Sequence, residues 1–217
     1  MRNIQAILFE PVGCLAEFAP AEFEDVAAQV FGRTVVRGAS GSQAYWDLLG
    51  LLETVGRPTT SEERAGIEEY EIRAVTRARP YEDVVPALSE LNDLGISSLV
   101  ASSLSTAAVD RFLEAFALRD LFGDVATRDT ADGVKTAPLV KLLKAHAFAP
   151  DGVLFLTDTA EGLETARQAG VNAILMMNDP DEAMKLTAQN PAGGIVSLHE
   201  LPDFVRLVAA GLARSQA

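Results

Sequence analysis

The sequence predicts an α/β fold: a doubly wound parallel sheet carrying an inserted, all-helical domain. Three observations predict it. Short apolar runs recur with helix-spaced segments between them, residues 16–79 interrupt that alternation with helical pattern alone, and carboxylates or small polar residues stand where the apolar runs end. Strand–helix alternation is the pattern of a parallel sheet with helices on both faces. In such open sheets ligands bind outside the carboxyl ends of the strands.

The elements follow in order. Ile4–Phe9, with Gln5 as its one polar residue between Ile4 and Leu8, reads as a buried strand. Pro11 and Gly13 then turn the chain just after Glu10. Within the interruption, Ala21–Phe31 and Gln43–Val55 are amphipathic helices, and Thr60-Ser61-Glu62-Glu63 fits a capping box opening a helix to about Ala78. Pro58 and Pro80 punctuate the segment. Beyond it, Ser97–Ala101, Gly152–Leu156, Asn172–Met177 and Gly194–Ser197 read as strands, with Asp124–Thr127 a weaker candidate. Helical spacing marks Tyr81–Leu94, Thr106–Phe116, Pro138–His146 and Glu161–Ala169, with Gly95 and Gly170 placed as C-terminal caps. These boundaries predict a core of residues 1–15 and 80–217, with 16–79 as a helical cap. Residues from about Arg214 read as a frayed tail.

Composition narrows the function. The 217 residues carry a formal charge of −13, the wrong sign for a nucleic-acid binder. The single cysteine, Cys14, leaves no intrachain disulfide and suits a reducing, cytoplasmic setting. No apolar run reaches membrane-span length, and Met1-Arg2-Asn3 lacks the character of a secretory signal.

Four places carry candidate chemistry. Glu10 and Asp158 are carboxylates where apolar strands end, and Glu161 follows Asp158 at a helix start; such carboxylates can share a divalent cation, most naturally Mg²⁺, or simply be solvated turn residues. Ser102 and Ser103 end the strand Ser97–Ala101, where hydroxyls and free N–H groups at a helix start form an anion site, or where Ser103 or Ser105 is an ordinary N-cap. Lys135, among turn-forming residues, can neutralise phosphate charge or be a surface lysine.

Their order is more informative than any one of them. Glu10-Pro11-Val12-Gly13-Cys14-Leu15 resembles the D-x-D-G-T-L nucleophile motif of the haloacid dehalogenase superfamily. Ser102, the loop Asp132–Pro138 with Lys135, and Phe155–Gly170 with Asp158 are similar to that family's three further motifs, in the same order along nearly the whole chain. The resemblance implies that Glu10 stands at the nucleophile, Val12 at the acid/base aspartate, Ser102 at the hydroxyl that binds a phosphoryl oxygen, Lys135 at the motif lysine and Asp158 at the metal-binding acid. Gly162 falls where many members carry a second acid, and whether Glu161 replaces it stays open. Thr157 and Thr136 stand where the family has glycine and proline.

The resemblance therefore implies a phosphatase-type hydrolase of a small phosphorylated metabolite, with Mg²⁺ and a specialised or weak activity. Glutamate carries its carboxylate about 1 Å beyond an aspartate's, and a misplacement of that size can cost about 10²-fold. Val12 supplies no proton, and general acid–base catalysis is worth about 10²–10⁴-fold. The alternatives are a non-catalytic phosphate-binding or regulatory protein and, third, a dehalogenase-like enzyme. Phe18, Phe23, Tyr45, Trp46 and Tyr70 are the insertion aromatics that line a pocket or fill its core. Cys14 reads as a small buried residue, and His146 and His199 as surface or capping residues. A monomer and a dimer through the cap are both open.

Overall fold

The computed structural model describes residues 4–32, 40–54 and 59–211. The readings made for Met1–Asn3, Val55, Pro58 and the Arg214–Ala217 tail lie outside these.

Six strands form one parallel sheet: β1 (Ala6–Phe9), β4 (Ser97–Ala101), β5 (Asp124–Ala126), β6 (Val153–Thr157), β7 (Asn172–Met176) and β8 (Gly193–Ile195). Two shorter strands, β2 (Ala16–Glu17) and β3 (Arg79–Pro80), pair antiparallel with each other. The sheet order is β5-β4-β1-β6-β7-β8. The order reverses at β1, which makes the carboxyl ends of β1, β4 and β6 the crevice where α/β sheets bind ligands. Register brings those ends level: Phe9 pairs with Val100 on one side and with Leu156 on the other. The next residues out along the three strands lead directly to Glu10, Ser102 and Asp158.

Alternating side chains divide between the two faces, as a pleated strand requires. Ile7 and Phe9 pack on one side with helices α4 (Val84–Asp93), α5 (Thr106–Ala115) and α9 (Leu201–Ala209). Ala6 and Leu8 pack on the other with α6 (Thr136–Ala145), α7 (Ala160–Ala169) and α8 (Pro180–Leu186). This is the doubly wound arrangement the alternation predicts. Helix α8 was not among the sequence-derived helices: it is short, started by Asp179, whose side chain accepts from Asp181 N and Glu182 N, with Pro180 in its first turn. Gly95 and Gly170 have φ of +73° and +75°, so both helix-stop assignments rest on real left-handed backbone.

The insertion holds α1 (Pro20–Phe31), α2 (Gly41–Thr54) and α3 (Ser61–Arg77). Thr60 and Glu63 form the expected capping box. The insertion is not helical to its edges. Its first and last residues make the β2–β3 ribbon, which ties both chain crossings into one neck. Nor does it own a separate core. Phe18, Phe23, Tyr45, Leu48, Leu49 and Ile67 belong to the same apolar cluster as Phe9 and Phe112 of the sheet layer. The Phe18 and Phe112 rings stack with centroids 6.0 Å apart across the junction.

A buried ion pair reinforces it: Arg128, in the turn after β5, bonds Glu71 of α3, which also accepts from Ser105 N at 3.0 Å. Burial pushes the Glu71 carboxyl upward, and Arg128 offsets part of that shift.

Candidate functional site

Glu10 leaves β1 in extended conformation (φ −86°, ψ 125°), and Gly13, at φ +79°, completes the turn that follows. That φ favours glycine, and a Cβ on Gly13 would force the Ser42 hydroxyl and the Asp158 carboxylate to shift. The Gly13 carbonyl accepts from Asn178 Nδ2 at 2.8 Å and from the Tyr81 hydroxyl at 3.3 Å, so the turn is pinned from two sides.

The Glu10 carboxylate is buried and its oxygens are occupied. Oε1 accepts from Ser102 Oγ at 2.7 Å. Oε2 accepts from the Tyr45 hydroxyl at 3.1 Å and the Ser103 N–H at 3.3 Å. Burial pushes its pKa up to about 8, against the pull of those three donors. Burial and the neighbouring carboxylate also push the Tyr45 phenol upward. Cys14 is buried, its Sγ 3.4 Å from the Leu156 carbonyl, and burial raises its thiol well above the ordinary value. That is an inert thiol, as its position implied.

Ser103 plays a role different from a simple cap. Its Oγ accepts from the Lys135 backbone N–H at 2.6 Å, whereas Ser105 is the residue that caps α5. Lys135 itself adopts φ +56°. Its ammonium does not meet Glu10; it meets Glu53 of the insertion at 2.7 Å.

Asp158 is less enclosed. Its Oδ2 accepts from Ser42 Oγ at 2.6 Å and Asn178 Nδ2 at 3.0 Å, while Oδ1 is buried without a partner. Burial raises its pKa to about 6. Glu161 accepts weakly from Gln43 Nε2 at 3.4 Å, and its Oε2 too is buried and unpaired. Gly162 has no room for a side chain, because a Cβ there would overlap Thr157. Thr157 thus occupies the space a side chain at 162 needs. Among the described residues no three acidic, histidine or cysteine side chains gather as a ready-made metal site. Beside Asp158 a cavity of about 410 Å³ extends between Phe18, Ser42, Tyr81 and Asn178; among the described residues its wall includes Glu17, Asp179 and Glu182 but no basic side chain.

The sequence-derived residues therefore fall into two groups. Glu10, Ser102 and Ser103 meet directly; Lys135 touches Ser103 only through its backbone, and Asp158 and Glu161 each meet a side chain of α2, Ser42 and Gln43 respectively. Sequence reasoning missed Ser42, Gln43, Glu53 and Asn178. Asn178 follows β7 closely and was open to the same strand-end logic; the other three lie on α2, whose docking no local pattern encodes. Of the five insertion aromatics, Phe18, Phe23, Tyr45 and Trp46 are buried in the core cluster, and Tyr70 packs at its edge under the Arg73 guanidinium. His146 bonds Asp124 at 2.9 Å and stacks on Phe148, a surface arrangement.

Residues 48–176 match the model of the haloacid dehalogenase-like hydrolase family. The chain belongs to that family. A search of curated proteins finds no match. Solved structures carry the fold at low identity. A haloacid dehalogenase-like family hydrolase from Streptococcus pneumoniae superposes with TM-score 0.71 at 15% identity, over 94% of this chain and 99% of that one. A predicted phosphoglycolate phosphatase from Haemophilus somnus 129PT gives 0.66 at 18%, over 94% and 98%. The L-2-haloacid dehalogenase of Xanthobacter autotrophicus gives 0.62 at 17%, again over 94% and 98%. Among the described residues no helix is long and apolar enough to cross a membrane.

Proposed function

We propose that this family member is a phosphatase-type hydrolase that acts slowly on a small phosphorylated metabolite in the cytoplasm, with residues 16–79 as the cap over a core of 1–15 and 80–217. The observation that carries the reading is the 2.7 Å bond from Ser102 to Glu10, which sets a hydroxyl donor for phosphoryl oxygen against a carboxylate nucleophile at adjacent strand ends. In the reaction Glu10 acts in its ionised form, the minor species at neutral pH given its pKa of about 8: the carboxylate bonds to phosphorus while the bond to the leaving oxygen breaks, and that oxygen departs with the electron pair. Water then attacks the phosphorus of the acyl phosphate, returning Glu10 and releasing phosphate. Val12 offers no proton to the leaving group, which restricts turnover to esters whose alkoxide or phenoxide leaves unaided.

Mg²⁺ fits this donor set through Asp158 and Glu161, because Asp158 Oδ1 and Glu161 Oε2 are buried oxygens with no partner. Two carboxylates with water and phosphate oxygens suit that ion. Glu10, the third ligand implied by sequence, joins them only by releasing one of its donors. When bound, the ion would offset charge on the phosphoryl oxygens.

The test is phosphate release from an activated aryl phosphate by the natural chain, Glu10→Asp and Glu10→Asp/Val12→Asp. The expected result is a gain of at least about tenfold in one variant, since proper placement alone is worth about 10²-fold. No gain in either favours a second reading, a non-catalytic phosphate-binding or regulatory protein. One observation supports that second reading: Glu10 already takes the Ser102 hydroxyl and Ser103 N–H that a phosphoryl group would use.

A further inference from the structure

One helix of the insertion touches four of the candidate residues, Glu10, Lys135, Asp158 and Glu161, each from a different side chain. Helix α2 sends Ser42 to Asp158 (2.6 Å), Gln43 to Glu161 (3.4 Å) and Tyr45 to Glu10 (3.1 Å), and receives Lys135 on Glu53 (2.7 Å). Positions 42 and 45 lie one turn apart, and 53 lies about two turns beyond 45, so the contacts line one side of a single rod. The same face is packed: Tyr45, Leu48 and Leu49 are wholly buried, and the Phe23 and Tyr45 rings stand 5.3 Å apart.

The groups available to an anion are thus already satisfied by the chain's own carboxylates. Glu10 holds the Ser102 hydroxyl and the Ser103 N–H, and Glu53 holds the Lys135 ammonium. We infer that α2 is an autoinhibitory latch, with Glu53 as an internal stand-in for a phosphoryl anion, and that a phosphoryl ligand binds by displacing Glu53 from Lys135 and lifting the C-terminal end of α2. This deepens the hydrolase reading and rests on its assignment of Lys135 as a phosphate-binding residue.

The contacts grade along the helix in the order that release requires. Tyr45–Glu10 is sealed from water, whereas the Glu53 side chain is 48% exposed in its pair with Lys135. Exposed pairs of this kind hold weakly and are screened by salt. The latch therefore opens from Glu53 and stays anchored at Tyr45.

The experiment titrates inorganic phosphate, by calorimetry, into the natural chain, Glu53→Gln and Lys135→Ala, and follows hydrogen exchange of the Gly41–Thr54 amides with and without phosphate. The latch predicts phosphate affinity several-fold higher in Glu53→Gln than in the natural chain, loss of binding in Lys135→Ala, and faster exchange at the Glu53 end of α2 when phosphate is bound. Equal affinity in the natural chain and Glu53→Gln, or unchanged exchange on binding, overturns the latch and leaves the phosphate site standing. No binding in either overturns the site as well. Neither readout depends on turnover.

Discussion

Glu10 and Asp158 invite comparison. Both follow central strands that pair with each other, both accept a hydroxyl from helix α2, and both have pKa values raised by burial. They differ in what remains free. Glu10 is buried with donors on both oxygens, while Asp158 keeps one oxygen unpaired and borders a cavity. On the proposed reading, the position that departs from the family's aspartate is the one the protein has sealed. The position where the acid is retained is the one left with coordinating capacity. In physical terms, the Glu10 carboxylate takes the Ser102 hydroxyl and Ser103 N–H, the donors that the proposed reading assigns to a phosphoryl group.

Gly13→Ala would disturb this comparison most, because Gly13 separates the two halves. The new Cβ overlaps Ser42 and Asp158 at a φ that L-residues avoid. A loss of about 3 kcal/mol is expected in urea unfolding. A loss below about 1 kcal/mol would mean the two halves are not packed on this one turn.

The Asp158 half has its own test. Gly162→Ala should cost about 2 kcal/mol through overlap with Thr157, and Thr157→Gly/Gly162→Ala should recover most of it. Additive losses would show that the two positions are independent.

The two carboxyls also predict a pH dependence. Glu10 is raised from 4.5 to about 8 in the folded protein, and Asp158 from 3.8 to about 6. The native state therefore binds more protons than the unfolded chain between those limits. The stability this contributes is fully present below the unfolded values, is lost as pH rises through about 6 for Asp158, and is lost through about 8 for Glu10. Thermal melts should show Tm falling across that window. Glu10→Gln should flatten the slope between pH 6 and about 8 and weaken it between 4.5 and about 6, where Asp158 alone still contributes. An unchanged slope in the variant would mean Glu10 is not the group responsible.

The fold was legible because its signals are local. Apolar runs such as Val153–Leu156 and stops such as Gly170 need no tertiary context, and neither does the Thr60–Glu63 box. Strand-end residues Glu10, Ser102 and Asp158 were legible for the same reason, since topology alone carries such positions to one edge of the sheet. What escaped was set by docking. The partner of Lys135 is Glu53, 82 positions away, and nothing near either residue announces the pairing. The continuity of insertion and sheet core was equally hidden, because the amphipathic faces of α1 and α2 say that they bury something, not what.

The most direct test of the account is Mg²⁺-dependent phosphate release from an activated aryl phosphate by the natural chain beside Asp158→Asn. The account predicts a slow rate in the natural chain that vanishes in the variant. Equal, background-level rates in both would contradict it and leave a family scaffold that holds its ligands without turning them over.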